Sequence, residues 1–194
     1  MITLAQVRRA LRGHQPRTVE APEARPAAVA VVLLDGVAVS GGLEVLLIRR
    51  AERAGDPWSG QIALPGGRHE ARDPDLLTTA MRETREETGV DLASAERLGA
   101  LDDLYPRTPT LPPVVVRPFV FLLERRPALI PSDEVQRAFW LPLARLGEPG
   151  VRREITLTLR GIERTFPAYL VDDEVIWGMT ERILTPFIEL ASQM

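Results

Sequence analysis

Three glutamates, Glu83, Glu86 and Glu87, follow a glycine turn at Gly66 and Gly67. In a helix, residues three and four apart share a face, so the three carboxylates are predicted to lie side by side. Like charges so arranged slightly destabilise an isolated helix. A hard divalent cation would make the same arrangement favourable. Mg²⁺ and Mn²⁺ bind carboxylate oxygens and keep further coordination positions for substrate phosphates. The pattern therefore predicts a metal site that faces a phosphate, and hence a phosphoanhydride hydrolase.

The predicted helix has start and stop signals. Asp73 is expected to cap its N-terminus, with Pro74 at the first helical position, where a missing N–H costs nothing. Gly89 is expected to end it in a left-handed conformation. Arg82 precedes Glu86 by one helical turn and can brace that carboxylate. The competing interpretation is a solvated surface helix rich in Glu and Arg, a common fate of such runs. The adjoining glycine turn favours the metal site.

This stretch resembles the Nudix box, in which a glycine turn precedes Arg-Glu, two further glutamates and a terminal glycine. The residues that carry the resemblance are Arg82, Glu83, Glu86, Glu87, Gly89 and Val90. The resemblance implies a hydrolase that uses Mg²⁺ or Mn²⁺ to cleave a nucleoside diphosphate linked to a second moiety. It implies that Glu83 and Glu87 are the principal metal ligands and that Glu86 assists. A backbone carbonyl near Gly66 or Gly67 would complete the site.

A second resemblance, to the coenzyme A pyrophosphatases of that family, lies just upstream. It is carried by Leu46, Leu47, Arg50, Arg53, Gly60, Gln61 and the residues from Leu64 to Gly67, with a longer loop at 56–59. Residues 177–184 resemble the entry to that subfamily's C-terminal helix. Because guanidinium forks bind phosphate in a bidentate manner, Arg50 and Arg53 are predicted to bind substrate. Gln61 and Gly66 complete the predicted substrate-binding set.

The subfamily resemblance implies hydrolysis of coenzyme A, or a thioester of it, to 3′,5′-ADP and 4′-phosphopantetheine. Other nucleoside diphosphate derivatives, namely NADH, ADP-ribose and dinucleoside polyphosphates, are the alternatives within the enzyme class. A binding module that kept the fold and lost hydrolysis is the alternative outside it.

Glu134 is a further candidate acid. It precedes the stretch Trp140-Leu141-Pro142, a context in which related hydrolases often place an acid beside the metals. The alternative is a glutamate that merely starts a helix. We group Glu134 with Arg82 and Glu86 as the predicted catalytic residues.

Composition limits the remaining possibilities. The chain has 194 residues, of which 45% are hydrophobic, so one domain with one core is expected. It has no cysteine, which excludes thiolate chemistry and fits a reducing cytoplasm. No apolar run reaches the length of a membrane span, and a formal charge of −3 argues against nucleic-acid binding. The expected partner is a small nucleotide substrate; a homodimer is possible.

The elements that must position these residues are predicted from periodicity and turn signals. Helices are expected at 3–12 and 179–191, with a proline-rich connector at 16–26 between the first helix and a single domain at 27–194. Strands are expected at 27–34, 43–50, 97–105, 114–124, 154–160 and 163–171, and a short strand near 139–141. Together these indicate an α+β fold of the Nudix type: an α/β/α sandwich with a mixed, mostly curved β-sheet between helices.

Overall fold

The computed structural model describes residues 2–36, 42–53, 59–106, 112–159 and 161–193. Its helices are α1 (Leu4–Gly13), α2 (Leu76–Thr88), α3 (Leu143–Leu146) and α4 (Met179–Ser192). Its strands are β1 (Arg25–Asp35), β2 (Leu43–Arg50), β3 (Ile62–Ala63), β4 (Gly66–Arg68), β5 (Glu96–Ala100), β6 (Val114–Leu123), β7 (Val135–Pro142), β8 (Arg152–Leu159), β9 (Ile162–Val171) and β10 (Glu174–Trp177).

Strand β1 organises the larger, seven-stranded sheet. It pairs in parallel with β6 along most of its length. On its other side it pairs antiparallel with β4 through residues 27–29 and with β2 through residues 33–35. Strands β3 and β7 extend the sheet from β2, and β5 extends it from β6. The sheet is therefore mixed and open. Strand β4 lies beside the first half of β1, and β2 lies beside its end.

The alternation of side chains along β1 places a hydrophobic core on each face of this sheet. Ala30 and Val32 pack with α2 residues such as Ala80 on one face. Val31 and Leu33 face the opposite core, which contains residues of α1 and α4. A smaller sheet, in the order β10-β9-β8, joins that second core. The predicted arrangement of a sheet between helices is confirmed.

The helix that carries the glutamates begins later than predicted. Asp75, rather than Asp73, is its N-cap, and the Asp75 side chain accepts a hydrogen bond from the Thr78 N–H. The prediction for Asp73 was wrong because its carboxylate is buried against Arg82. The predicted C-terminus is confirmed, since Gly89 follows the helix in the left-handed conformation with a φ of 74°.

Most of the other predicted elements are present, with small changes. The expected strand at 97–105 stops at Ala100, and Leu104 makes only an isolated bridge with Val116. Strands β3, β4 and β10 were not predicted. Residues 56–58 and Arg160, which were assigned to an extended loop and a hairpin turn, lie outside the described residues.

Helix α1 packs into the same core as the sheet, through Val7 and Leu11. It begins with a capping box in which Thr3 and Gln6 exchange hydrogen bonds. The division of the chain at residue 26 stays a prediction. No helix within the described ranges is long and apolar enough to cross a membrane.

Candidate active site

A cleft of about 700 Å³ is lined by residues of β1, β4 and helix α2, together with the end of β2. Strand β4 consists of Gly66, Gly67 and Arg68, which lie in the cleft lining together with Glu83 and Glu87 of α2. A Cβ atom on Gly66 would overlap the backbone of β1 at Ala28 and Val29. The two glycines therefore allow β4 to lie close to both β1 and α2, which brings helix carboxylates into the cleft.

Glu87 is the most deeply placed of the three glutamates, with only 4% of its surface exposed. Its Oε2 accepts a hydrogen bond of 2.9 Å from the Gly66 N–H, and its Oε1 lies 3.9 Å from the Arg50 guanidinium. Burial raises the pKa of the Glu87 carboxyl to about 8, and the nearby charges of Glu83 and Glu134 act in the same direction. A buried carboxylate of this kind favours a cation beside it.

Glu83 lies one helical turn before Glu87 and also lines the cleft. Its Oε1 is 2.9 Å from the Arg82 guanidinium. Burial raises the pKa of the Glu83 carboxyl, although the charge of Arg82 opposes the shift. A Cβ atom on Gly67 would overlap the Glu83 carboxylate, so a glycine at this position leaves room for it.

Glu86 and Arg82 lie behind the cleft and are not among its lining residues. The Glu86 side chain is 45% exposed and pairs with Arg82 at 2.8 Å and with Arg72 at 3.3 Å. Arg82 also makes two hydrogen bonds of 2.9 Å to the carboxylate of Asp73. This pairing lowers the pKa of Asp73 and raises that of Arg82. Arg82 is thus held by Asp73 and by Glu86, and it orients the Glu83 carboxylate.

Four of the predicted substrate-binding or catalytic residues line the cleft together with Glu87. Arg50 is the last residue of β2, and Arg53 follows in the next loop. Arg53 makes an ion pair of 3.0 Å with Glu134. Glu134 immediately precedes strand β7, so the alternative that it begins a helix is wrong. Gln61 also lines the cleft.

The chain folds back over the end of α2 before it reaches Glu134. The Ile130 N–H donates to the Thr88 carbonyl at 2.8 Å, and the Ser132 N–H donates to the Glu87 carbonyl at 3.2 Å. The Ala51 N–H then donates to the Glu134 carbonyl. These contacts place Glu134 near Glu87, as its position in the sequence had suggested.

The cleft also has apolar lining residues. They include Leu64 from the approach to β4, Val114 and Val116 from β6, and Met179 and Ile183 from α4. These belong to or pack against the core on the α4 side of the sheet. The segment at 177–184, singled out in the sequence, therefore forms part of the site.

Two charged lining residues were missed in the sequence, namely Arg25 and Arg68. Arg25 begins β1 and Arg68 ends β4, far apart along the chain. Arg68 lies directly after the glycine pair, which was a usable signal. Arg25 follows the proline-rich connector, where nothing local marks it as functional.

The donor set fits a divalent cation. Glu83 and Glu87 offer carboxylate oxygens from one helix, and the glycines of β4, which have no side chains, leave room beside them. No cluster of three or more potential His, Cys, Asp or Glu ligands occurs in the described part of the chain. The assistance of Glu86 at the metal stays a prediction, since its carboxylate pairs with Arg72 and Arg82. Two carboxylates, completed by water and substrate phosphates, are a common site for Mg²⁺.

Comparisons with known proteins agree with this architecture. The NUDIX domain model matches residues 24–159. The human mitochondrial coenzyme A diphosphatase NUDT8 is 33% identical over 183 residues, covering 93% of this chain and 74% of that protein. An uncharacterised protein of Schizosaccharomyces pombe is 39% identical over 132 residues, covering 65% of this chain but only 40% of that protein's length. The crystal structure of a MutT/nudix family protein from Enterococcus faecalis superposes with a TM-score of 0.59 at 26% identity, covering 97% of this chain and 69% of that one.

Proposed function

The chain belongs to the Nudix family, and from that membership we propose that it hydrolyses the pyrophosphate of coenzyme A or of its thioesters. The observation that carries this proposal is the mixed lining of the cleft. It combines Glu83, Glu87, Glu134 and several arginines with apolar residues of β6 and α4. Such a cleft suits a substrate in which a diphosphate joins a nucleotide to a long, weakly polar arm.

The chain's own residues supply binding and charge. Glu83 and Glu87 would hold Mg²⁺ or Mn²⁺, with the backbone near Gly67 contributing a carbonyl. When bound, the cation would neutralise charge on the phosphoryl oxygens and lower the pKa of the attacking water. Arg50 and Arg53 would bind the phosphoryl oxygens, where electrostatic stabilisation does most of the catalysis.

Glu134 is the proposed proton acceptor. It lies beside Glu87 at the cleft and is 57% exposed, so water can reach it. Water attacks one phosphorus, the bond to the bridging oxygen breaks, and the attacking water loses a proton to Glu134. Coenzyme A and one water thus give 3′,5′-ADP and 4′-phosphopantetheine. Arg82 and Glu86, lying behind the cleft, would position Glu83 rather than contact substrate.

A substrate panel tests the proposal directly. Coenzyme A, NADH, ADP-ribose and a dinucleoside polyphosphate would be incubated separately with the protein and Mg²⁺ or Mn²⁺, and the products identified by mass spectrometry. Coenzyme A should have the highest kcat/KM. Equal turnover of NADH or ADP-ribose would reject coenzyme A as the preferred substrate and leave a broader Nudix hydrolase. Absence of metal-dependent turnover with every compound would instead favour a binding module.

A homodimer and a cytoplasmic location stay proposals. Support for the dimer comes from β8, which lies at the end of the smaller sheet and, within the described residues, pairs only with β9. Strand edges of this kind can pair with a second copy of the chain. Sedimentation velocity would determine the assembly, and fractionation of cells would determine the location.

A further inference from the structure

Arg25 and Arg68 differ in their surroundings from the other two arginines of the cleft. Arg50 lies near Glu87 and Arg53 pairs with Glu134, so these two guanidinium groups face the predicted centre of hydrolysis. Arg25 and Arg68 are exposed at the cleft. Among the residues that the structure describes, no carboxylate forms an ion pair with either of them.

The strand register places Arg25 and Arg68 together. Ala27 of β1 lies directly opposite Arg68 of β4 in an antiparallel pair. Arg25 is two residues before Ala27, so its side chain leaves the same face of the sheet. Diagonal neighbours of this kind are separated by about 7–8 Å, within reach of long side chains. Both guanidinium groups can therefore contact one anion.

This arginine pair lies a short distance from the carboxylates. Gly66, whose N–H holds Glu87, is two residues before Arg68 on the same strand, which corresponds to about 7 Å. The Arg68 carbonyl also accepts a hydrogen bond of 3.3 Å from Arg82, which ties this strand to the residues behind Glu83. Arg68 is thus connected through β4 to the two predicted metal ligands, Glu83 and Glu87.

We propose that Arg25 and Arg68 form a subsite for a second, terminal phosphate of the substrate, separate from the diphosphate that is cleaved. This inference rests on the proposed function, because coenzyme A carries such a group as its 3′-phosphate whereas NADH and ADP-ribose do not. It assigns recognition of that phosphate to β1 and β4 rather than to Arg50 and Arg53. Without the phosphate, these arginines gain no partner, and the substrate loses their contribution to binding.

The test compares kcat/KM for coenzyme A and dephospho-coenzyme A in the wild type, Arg25→Gln, Arg68→Gln and the double variant. The wild type should prefer coenzyme A, and each single variant should reduce that preference by about 10-fold, the size expected for losing one charge-assisted hydrogen bond. Arg68→Lys should retain part of it, since it keeps the charge and loses the fork. Raising the salt concentration should shrink the wild-type preference, because the two groups are exposed. Arg153→Gln, an exposed arginine of β8 outside the cleft lining, is the matched control.

The outcomes separate this inference from the proposed function. If the wild type hydrolyses coenzyme A but the variants lose both substrates equally, the subsite is overturned and the function stands. If the wild type does not hydrolyse coenzyme A, the proposed function fails, and calorimetry with 3′,5′-ADP and 5′-AMP decides the subsite. Weaker binding of only the bisphosphate in the variants supports the subsite, and unchanged binding of both ligands overturns it.

Discussion

Replacing Glu87 by glutamine removes one buried charge and little else. The amide oxygen can still accept the hydrogen bond from the Gly66 N–H, and the side chain keeps its size. With no metal bound, the carboxylate is disfavoured by burial, so its pKa rises to about 8 from the 4.5 of an ordinary glutamic acid. At about 1.4 kcal/mol per pKa unit, the cost of ionising it in the folded chain reaches at most about 5 kcal/mol.

The raised pKa of Glu87 determines how the free energy of unfolding depends on pH. Between about pH 4.5 and 8 the folded chain keeps the Glu87 proton while the unfolded chain loses it. The free energy of unfolding therefore falls as the pH rises through that window. Relaxation of the protein and access of water make the actual cost smaller than this upper limit. We therefore expect the free energy of unfolding of Glu87→Gln to exceed that of the wild type by at least about 1 kcal/mol at pH 8. This corresponds to about 2–4 °C in Tm for a chain of this size.

Thermal unfolding in a chelator at pH 5 and pH 8 measures this gain. The advantage of Glu87→Gln over the wild type should be small at pH 5 and larger at pH 8. Added Mg²⁺ should raise the Tm of the wild type and have less effect on the variant, because ligands that bind only the folded state stabilise it. With Mg²⁺, the turnover of Glu87→Gln, and of Glu83→Gln, should fall by about 100-fold, a loss of about 3 kcal/mol.

Glu154→Gln is the matched control, since it makes the same chemical change at an exposed position of β8 outside the cleft lining. Its pH dependence and its response to Mg²⁺ should follow the wild type. The reasoning is refuted if Glu87→Gln is no more stable than the wild type at pH 8 in chelator. It is also refuted if Mg²⁺ stabilises both proteins equally.

Three further substitutions probe the surroundings of the carboxylates. Glu134→Gln should lower kcat and leave KM almost unchanged, with the acidic limb of the pH–rate profile altered, because Glu134 is the proposed proton acceptor. Asp73→Asn should destabilise the fold by about 1.5–3 kcal/mol in chemical denaturation, since Arg82 loses its buried charged partner and keeps its ion pairs with Glu83 and Glu86. Gly67→Ala should lower turnover with a loss of less than about 1 kcal/mol in stability, because the added methyl displaces only the flexible end of Glu83.

Each of these substitutions has an informative comparison. An unchanged rate in Glu134→Gln would move the role of base to another acid, with Glu70 the next to test. Gly66→Ala should destabilise the fold more than Gly67→Ala does, because its methyl would meet the backbone of β1 at a φ of 152°. Equal stability of the two alanine variants would contradict the packing described for β4. For Asp73→Asn, a stability equal to that of the wild type would show that the buried pair contributes nothing.

The chemistry of helix α2 was determined by local sequence. The spacing of Glu83 and Glu87 fixes their shared face, because helical geometry depends only on residues within a turn or two. Gly89 ends the helix for a similarly local reason, since glycine adopts the left-handed conformation without steric cost. The core strands could also be predicted, because successive side chains of a strand point to opposite faces and a continuous apolar run such as β1 indicates that both faces are buried.

The composition of the site was decided by contacts between distant segments. Asp73 looked like a helix cap, but a long side chain from the next turns, Arg82, reaches back to bury it. Glu86 lies on the helix close to its two neighbours, yet Arg72 and Arg82 hold it outside the cleft. Local spacing gives the direction in which a side chain leaves the helix, but the partner that holds it comes from elsewhere.

The pairing of Arg25 with Arg68 shows the same limit most clearly. Neither residue has a local signal that links it to the other, and only the antiparallel register of β1 and β4 makes them neighbours. Register depends on which strands pair and on how the core packs against them, which are properties of the whole chain. The sequence by itself therefore determined which helix carries the carboxylates and what chemistry they favour. The tertiary structure decided which arginines and which apolar residues line the cleft with them.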